Sequence, residues 1–325
     1  MSAERRQALE QVADVLRATP TIALSCHVGP DGDALGSMMG LALAARDAGK
    51  EVVTSFGSPF EVPSNLAFLP TVNLVPPDEF PDPPAVMVVM DAGSADRLAE
   101  LGHHAAKAET LIVIDHHVTN AGFGDLAVVD GDAAATGELV AELLGILGWP
   151  MTAEIATCLH TAIVTDTGRF QYSATKPSTL KLAAALVAAG ADTDYIGQQV
   201  YEQAPFGYLA AAGAALSRAV LDEERRVVST ILTHEDLTTA GIDWGDIDNL
   251  INTIRLPVEA DVAVLAKVHE DGRVKLSLRS RGETDVGAIA AGLGGGGHRL
   301  AAGATVDLPA EDAIDKVIEM VEAHR

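Results

Sequence analysis

Acidic and histidine side chains follow several short apolar segments of this chain, at the point where each segment ends. Carboxylate oxygens and imidazole nitrogens without thiolates favour manganese, magnesium or iron over a structural zinc site. Such side chains are candidate ligands for the divalent cations that assist phosphate ester hydrolysis. They are His27, Asp31 and Asp33 after TIALSC, Asp91 after AVMVVM, Asp115, His116 and His117 after TLIVI, and Asp166 in TAIVTDTGRF.

Repulsion among these acids is the reason to expect more than one cation. Two like charges about 4 Å apart repel by roughly 4 kcal/mol near a protein surface, so acids gathered in one crevice need positive charge beside them. Two divalent ions would balance four carboxylates, and a pair of ions about 3.5 to 4 Å apart is a known device for phosphoryl chemistry. Any single cluster could be a loop turn or a structural histidine, but their recurrence at successive segment ends favours a metal centre.

The apolar segments alternate with helical patterns in the first half, which is typical of a parallel sheet flanked by helices. In an open parallel sheet, ligands bind outside the carboxyl ends of the strands, so acids that follow different strands should meet along one edge. Asp166 follows its apolar segment in the same manner as the other acids. The predicted strands are 21–25, 51–56, 85–90 and 110–114, and the predicted helices include 34–48 and 133–147.

The second half has a different pattern. Residues 176–218 carry helical patterns without a strand signal and predict a helical connector. The segments 226–233, 262–270 and 273–280 are strand-like, and Asp271-Gly272 between the last two predicts a hairpin turn. We therefore predict an α/β chain with an N-terminal parallel-sheet domain over 1–185, a helical connector over 186–215, and a smaller mixed α/β domain over 216–325.

The length and composition limit the class of protein. A chain of 325 residues exceeds what one hydrophobic core usually supports. The longest apolar run, 35–45, falls short of the roughly 20 residues that cross a bilayer, so no membrane association is expected. The N-terminal pattern is amphipathic and unlike a signal peptide, which predicts a cytoplasmic protein. Cys26 and Cys158 are expected to be buried free thiols.

The net charge of −24 limits the partners. Nucleic-acid polymers are held mainly by Lys and Arg side chains that neutralise phosphates. A strongly acidic chain would repel a long polyanion, so duplex DNA is not an expected partner. The charge favours a small nucleotide or a short single-stranded RNA as substrate.

At the acidic and histidine clusters the sequence resembles the DHH phosphoesterase superfamily, which is named for the tripeptide that stands here as Asp115-His116-His117. The spacing His27-x-x-x-Asp31-x-Asp33, the isolated Asp91 and the DTG tripeptide at Asp166 match its other signatures. The second half resembles the DHH-associated C-terminal domain through LRSRG at 278–282 and the glycine run before His298. The resemblance covers nearly the whole chain and implies a two-metal phosphoric ester hydrolase.

The resemblance also implies a role for each residue of the clusters. Two Mn²⁺ ions per chain are implied, with Mg²⁺ or another divalent ion as an alternative. Asp115 would orient a neighbouring imidazole, and His117 would face the substrate phosphate as a catalytic residue. The first ion would bind to His27, Asp31 and Asp91, and the second to Asp33, Asp91, His116 and Asp166, with Asp91 bridging both.

The implied substrate-binding residues are Arg279, Gly295, Gly296, Gly297 and His298. The backbone N–H groups of the glycine run would approach a phosphate closely, and a helical turn after the run would add its positive end. The layout resembles the bacterial oligoribonuclease branch, whose members degrade nanoRNA and pApA, dephosphorylate 3'-phosphoadenosine 5'-phosphate and, in some lineages, hydrolyse cyclic di-AMP. A homodimer is implied by the same resemblance.

Three alternatives remain open from the sequence. The pyrophosphatase branch of the superfamily shares the N-terminal motifs, but it carries a different C-terminal domain. Single-strand DNA exonucleases of the superfamily are typically longer chains. A cyclic-dinucleotide sensor without turnover would keep the fold, but loss of a metal ligand is its expected sign, and every ligand position is filled here.

Overall fold

The computed structural model describes residues 2–323, which divide after Glu202 into two compact units. The strands of the first unit are β1 (Thr21–Cys26), β2 (Glu51–Phe56), β3 (Val86–Met90), β4 (Thr110–Asp115) and β5 (Leu126–Val129). Its helices are α1 (Ala3–Ala18), α2 (Gly32–Asp47), α3 (Leu101–Lys107), α4 (Thr136–Leu147), α5 (Ala153–Asp166), α6 (Pro177–Ala188) and α7 (Thr193–Tyr201).

The strands of the first unit form a five-stranded sheet in the order β2-β1-β3-β4-β5, and every neighbouring pair is parallel. All residues of β3 are buried, because apolar side chains cover both faces of the sheet. Strand β2 lies on one side of β1, and the chain then crosses to the other side of β1 to form β3, β4 and β5. The crevice beyond the carboxyl ends of β1 and β3 is therefore the place where such a sheet binds ligands.

Helix α2 packs closely against α5, and two glycines permit the approach. A Cβ atom on Gly36 would lie 2.5 Å from the carbonyl oxygen of Cys158, and one on Gly40 would lie 2.7 Å from Cδ2 of Leu159. The two helices run in opposite directions, since residues further along α2 contact residues further back along α5. The first turn of α2, which carries Asp33, consequently lies beside the last turn of α5, which carries Asp166.

The predicted parallel sheet with flanking helices is confirmed, and the four predicted strands correspond to β1 to β4. The segment before Asp166 was expected to end like a strand, and that expectation is wrong, because the segment is α5. A short run of apolar residues fits a fully buried helix and a fully buried strand equally well. Most of α5 is buried, so the apolar run alone did not separate the two. Strand β5 was not predicted.

The second unit contains a mixed sheet with helices on both faces. The strands are β6 (Val220–Asp222), β7 (Val227–Thr233), β8 (Val262–Val268), β9 (Val274–Ser280), β10 (Gly296–His298) and β11 (Ala301–Val306). The helices are α8 (Gly207–Ser217), α9 (His234–Ala240), α10 (Leu250–Ile254), α11 (Val286–Gly292) and α12 (Ala310–Ala323). The strand order is β10-β11-β9-β8-β7-β6, and only β7 and β8 pair in parallel.

The predicted hairpin at Asp271-Gly272 is confirmed, because it joins the antiparallel strands β8 and β9. The segment 186–215, predicted as a connector, contains α7 in the first unit and most of α8 in the second. Strands β6, β10 and β11 were not predicted. Within residues 2–323, no helix combines the length and the apolar character needed to cross a membrane.

Candidate metal centre

The carboxyl ends of β1 and β3 bring the first group of predicted ligands together. Nε2 of His27 lies 3.6 Å from Oδ2 of Asp91 and 3.9 Å from Oδ1 of Asp31. The other ring nitrogen of His27 lies 2.9 Å from the carbonyl oxygen of Val28. Asp91 has a φ of 55°, a left-handed conformation that non-glycine residues adopt rarely and that concentrates at functional sites.

A second group of predicted ligands surrounds His116. Its Nε2 atom lies 3.6 Å from Oδ2 of Asp33, 3.6 Å from Oδ1 of Asp91 and 3.4 Å from Oδ2 of Asp166. The two oxygens of Asp91 thus face different imidazoles, with Oδ2 towards His27 and Oδ1 towards His116. All the predicted metal ligands therefore lie in one continuous cluster, with Asp91 at its middle.

The donor set of this cluster fits divalent cations. One group of ligand atoms within 4.8 Å of one another comes from His27, Asp31 and Asp91, and a second such group comes from Asp33, Asp91 and His116. Oxygen donors with imidazole nitrogens are the combination that manganese, magnesium and iron accept. No cysteine belongs to either group.

The electrostatics of the cluster agree with a need for positive charge. Burial, together with the charge of Asp91, raises the pKa of Asp33 and of Asp166 well above the usual range of a carboxyl. Burial also acts to raise the pKa of Asp91, but the hydrogen bond with His27 and the charge of His116 outweigh it, so that pKa is lowered. Carboxylates this close cannot all be ionised unless cations compensate their charge.

The first residues of α4 form hydrogen bonds with Asp33 and Asp91, and the sequence did not predict these bonds. The backbone N–H groups of Thr136 and Gly137 donate to the two carboxylate oxygens of Asp33, at 2.7 and 2.9 Å. The hydroxyl of Thr136 donates to Oδ1 of Asp91 at 2.9 Å, and the hydroxyl of Ser37 donates to Asp33 at 2.9 Å. One helix terminus thereby orients carboxylates that follow two different strands.

Replacing Thr136 with valine removes the hydroxyl bond to Asp91 and leaves the backbone bonds to Asp33 in place. We expect the affinity for Mn²⁺ to fall by about 10- to 100-fold, since groups that orient metal ligands typically contribute that much. Titration calorimetry with Mn²⁺ measures the change. Thr161→Val is the matched control, because Thr161 is equally buried but donates to a backbone carbonyl within α5. Equal Mn²⁺ affinity in the two variants would contradict the role of Thr136.

Asp115 lies at the centre of a separate network beside the cluster. Its Oδ1 atom accepts hydrogen bonds from Nδ1 of His117 at 2.7 Å and from the backbone N–H of His116 at 2.9 Å. Its Oδ2 atom accepts a bond from the side-chain amide of Asn120 at 2.7 Å. Asn120 also donates to the carbonyl oxygen of Ala92, which ties the network to the end of β3. The sequence had pointed to Asp115 and His117 but carried no signal for Asn120.

His117 is held as a positively charged side chain. Burial opposes its protonation, but the hydrogen bond to Asp115 and the charge of Asp91 prevail and raise the pKa of His117 to about 9. Nδ1 of His117 lies 3.7 Å from Oδ1 of Asp91. The ring is 20% exposed, so a ligand can reach it.

The predicted substrate-binding residues of the second unit lie at one end of its sheet. Arg279 on β9 and His298 on β10 are both paired in register with Ala301 of β11. The three residues thus form a row across adjacent strands. Gly296 and Gly297 belong to β10 as well, and Gly295 directly precedes it.

The expected helical turn after the glycine run is wrong, because β10 and β11 form an antiparallel pair there. The glycines are needed for the packing of β10 against β11. A Cβ atom on Gly297 would lie 2.6 Å from the carbonyl oxygen of Ala301, and one on Gly295 would overlap the carbonyl oxygen of Gly303. The run therefore permits the close approach of β11.

Two family models match the chain. Residues 21–163 match the DHH family, N-terminal domain, and residues 224–324 match the DHHA1 domain. The first match contains the ends of β1, β3 and β4, and the second contains the glycine run. Each half of the chain is therefore similar to a separate known domain.

Two bacterial relatives are similar over most of their length. The bifunctional oligoribonuclease and PAP phosphatase NrnA of Thermus thermophilus is 36% identical over 315 residues, which cover 95% of this chain and 92% of that protein. The protein of the same name from Bacillus subtilis is 28% identical, over 88% of this chain and 89% of that protein. A solved exopolyphosphatase-related protein from Bacteroides fragilis shares the fold, with a TM-score of 0.88 and 24% identity over 98% of this chain and 96% of that one.

Proposed function

Because the chain belongs to the DHH family of phosphoesterases, we propose that it hydrolyses short nucleotides to mononucleotides with the help of two divalent cations. The observation that carries this proposal is the position of Asp91, whose two carboxylate oxygens face two separate groups of ligand atoms. A single carboxylate shared in this way suits a pair of ions. The relative from Thermus thermophilus, named as an oligoribonuclease and PAP phosphatase, supports a small nucleotide as the substrate.

The proposed ligands follow the two groups of donor atoms. His27, Asp31 and Asp91 would hold one ion, and Asp33, Asp91, His116 and Asp166 would hold the other. We propose Mn²⁺ as the ion, because imidazole and carboxylate together suit it better than Mg²⁺, which favours oxygen donors and retained waters. When bound, such ions lower the pKa of water and stabilise negative charge on phosphate oxygens.

His117 is the proposed catalytic residue of the chain itself. Asp115 accepts the hydrogen bond of Nδ1, so Nε2 is the ring atom that would donate to an oxygen of the substrate. The raised pKa of His117 keeps the ring charged at neutral pH, as a donor to the developing charge or to the departing oxygen. Proton transfer by a positioned side chain typically contributes about 10²- to 10⁴-fold.

The second unit is proposed to carry substrate-binding residues of its own. Arg279 and His298 lie in one row of the sheet and would contact a second phosphate or a base, with Gly295, Gly296 and Gly297 beside them. Candidate substrates are nanoRNA, pApA, cyclic di-AMP and 3'-phosphoadenosine 5'-phosphate. The charge of −24 favours short single-stranded RNA over duplex DNA. We propose a cytoplasmic homodimer as the working form.

The test is a substrate panel with purified full-length chain and Mn²⁺, in which product chromatography follows the release of AMP. We expect AMP from pApA, and inorganic phosphate from 3'-phosphoadenosine 5'-phosphate. A heat-denatured sample and pyrophosphate as a substrate are the controls. Hydrolysis of pyrophosphate alone would overturn the proposal in favour of the pyrophosphatase branch. Tight binding of cyclic di-AMP without turnover of any substrate would overturn it in favour of a sensor.

A further inference from the structure

Arg97 lies beside the metal centre, on the turn that follows Asp91 at the end of β3. The turn is the short 3-10 helix Ala95–Leu98. The residue is exposed, and its Nη2 atom lies 3.3 Å from Nδ1 of His27. Within residues 2–323, no carboxylate forms an ion pair with this guanidinium, although the neighbouring metal centre is rich in aspartates.

Nδ1 of His27 has two polar neighbours, but a ring nitrogen can form only one hydrogen bond in the plane of the ring. The carbonyl oxygen of Val28 lies 2.9 Å from Nδ1, closer than Arg97. The carbonyl can only accept and the guanidinium can only donate, so the two contacts need different tautomers of the ring and exclude each other. A ring that binds a cation through Nε2 keeps its proton on Nδ1, where a carbonyl typically receives it. Arg97 therefore retains N–H donors that His27 does not use.

The backbone of this turn is held firmly in place. The N–H of Val28 donates to the carbonyl oxygen of Arg97 at 2.9 Å, which links the turn to the end of β1. Gly57, just after β2, lies directly against the turn, because a Cβ atom there would be 2.7 Å from the carbonyl oxygen of Leu98. The side chain of Leu98 is fully buried. A guanidinium on such a support starts from a defined position, as binding residues require.

From these contacts we infer that Arg97 is a further binding residue for the substrate, and that it holds the phosphate that reaches the metal centre at its His27 end. The inference rests on the proposed function. A guanidinium offers a planar fork of donors that matches two oxygens of one phosphate. The cations and Arg97 would then contact different oxygens of the same group. Arg97 is a cationic side chain of the first unit that the sequence motifs did not include.

The test compares Arg97→Gln and Arg97→Lys with the wild-type full-length chain, loaded with Mn²⁺. For Arg97→Gln we expect the KM for pApA and the dissociation constant for AMP to rise by about 10- to 100-fold, the range of a hydrogen bond to a charged group. Arg97→Lys should lose less, because an ammonium keeps the charge but not the fork. The affinity for Mn²⁺ should stay unchanged. Arg46→Gln is the matched control, since Arg46 is exposed and pairs with Asp47 at the far end of α2.

Two results would overturn the inference. One is an Arg97→Gln variant that binds AMP as tightly as the Arg46→Gln control. The other is a loss of Mn²⁺ affinity with unchanged AMP binding at saturating Mn²⁺, which would show that Arg97 only orients His27. AMP release by the wild-type chain tests the proposed function separately. An active enzyme with an indifferent Arg97 would therefore remove this inference and leave the function in place.

Discussion

Asp91→Asn is expected to lower kcat/KM for pApA by at least roughly 10³-fold, since metal stabilisation of charge contributes several kcal/mol. Asp91 is the acid whose oxygens face both His27 and His116, so an amide in its place weakens both groups of ligands at once. Steady-state kinetics over a range of Mn²⁺ concentrations measure the loss, and calorimetry should show weaker Mn²⁺ binding in the same variant.

The asparagine is a conservative replacement for the fold. Asparagine tolerates a φ of 55° as well as aspartate does, and its carbonyl oxygen can still accept the bond from Thr136. Removing one charge relieves Asp33 and Asp166 of a repelling neighbour, but it also removes the partner of His27 and His116, which lower the pKa of Asp91. Some loss of melting temperature in chelator is therefore expected, and a single cooperative transition would show that the fold is intact. Asp96→Asn, an exposed acid on the following turn, is the control and should keep full activity. An active Asp91→Asn variant would rule out the shared role of Asp91.

Removal of divalent cations is expected to abolish activity and to destabilise the first unit. At an ion concentration of about 100 times its dissociation constant, binding adds about 2.7 kcal/mol to the free energy of unfolding. For a unit of this size that corresponds to roughly 5 to 10 °C in melting temperature. The gain should be large here because the bound ions remove the repulsion among buried carboxylates.

Calorimetric melting of the full-length chain with EDTA and then with added Mn²⁺ measures this shift, and pApA hydrolysis is followed in parallel. The Asp91→Asn variant is the internal control, since its melting temperature should respond much less to Mn²⁺. Full activity after exhaustive dialysis against EDTA, or a melting temperature that ignores Mn²⁺ in the wild-type chain, would contradict a metal centre in this cluster.

Much of the first unit could be predicted because its signals are local. Strands β1 to β4 are short apolar runs, and the rule for parallel sheets places whatever follows them at one edge. His27, Asp91 and His116 are within a few residues of a strand end, so their meeting required no knowledge of side-chain packing. The order β2-β1-β3 then puts the crevice beside Asp91.

The second unit was less predictable because several of its strands carry no such local signal. Strands β6 and β10 have three residues each, and β10 consists of two glycines and a histidine, without an apolar pattern. Such strands exist because a neighbouring strand pairs with them, and the glycines of β10 permit the close approach of β11. The sequence around His298 therefore predicted a helical turn after the glycine run, whereas the structure has the antiparallel pair β10 and β11 there.

The sequence by itself determined the family, the parallel sheet and the acids at its strand ends, since each depends on residues that are neighbours along the chain. Only the tertiary structure decided that Asp166 reaches the cluster from the end of a helix, through the close packing of α2 on α5. It also placed Thr136, Asn120 and Arg97 around the ligands. Hydrogen bonds between residues that are distant in sequence depend on how whole elements pack, and no local pattern records them.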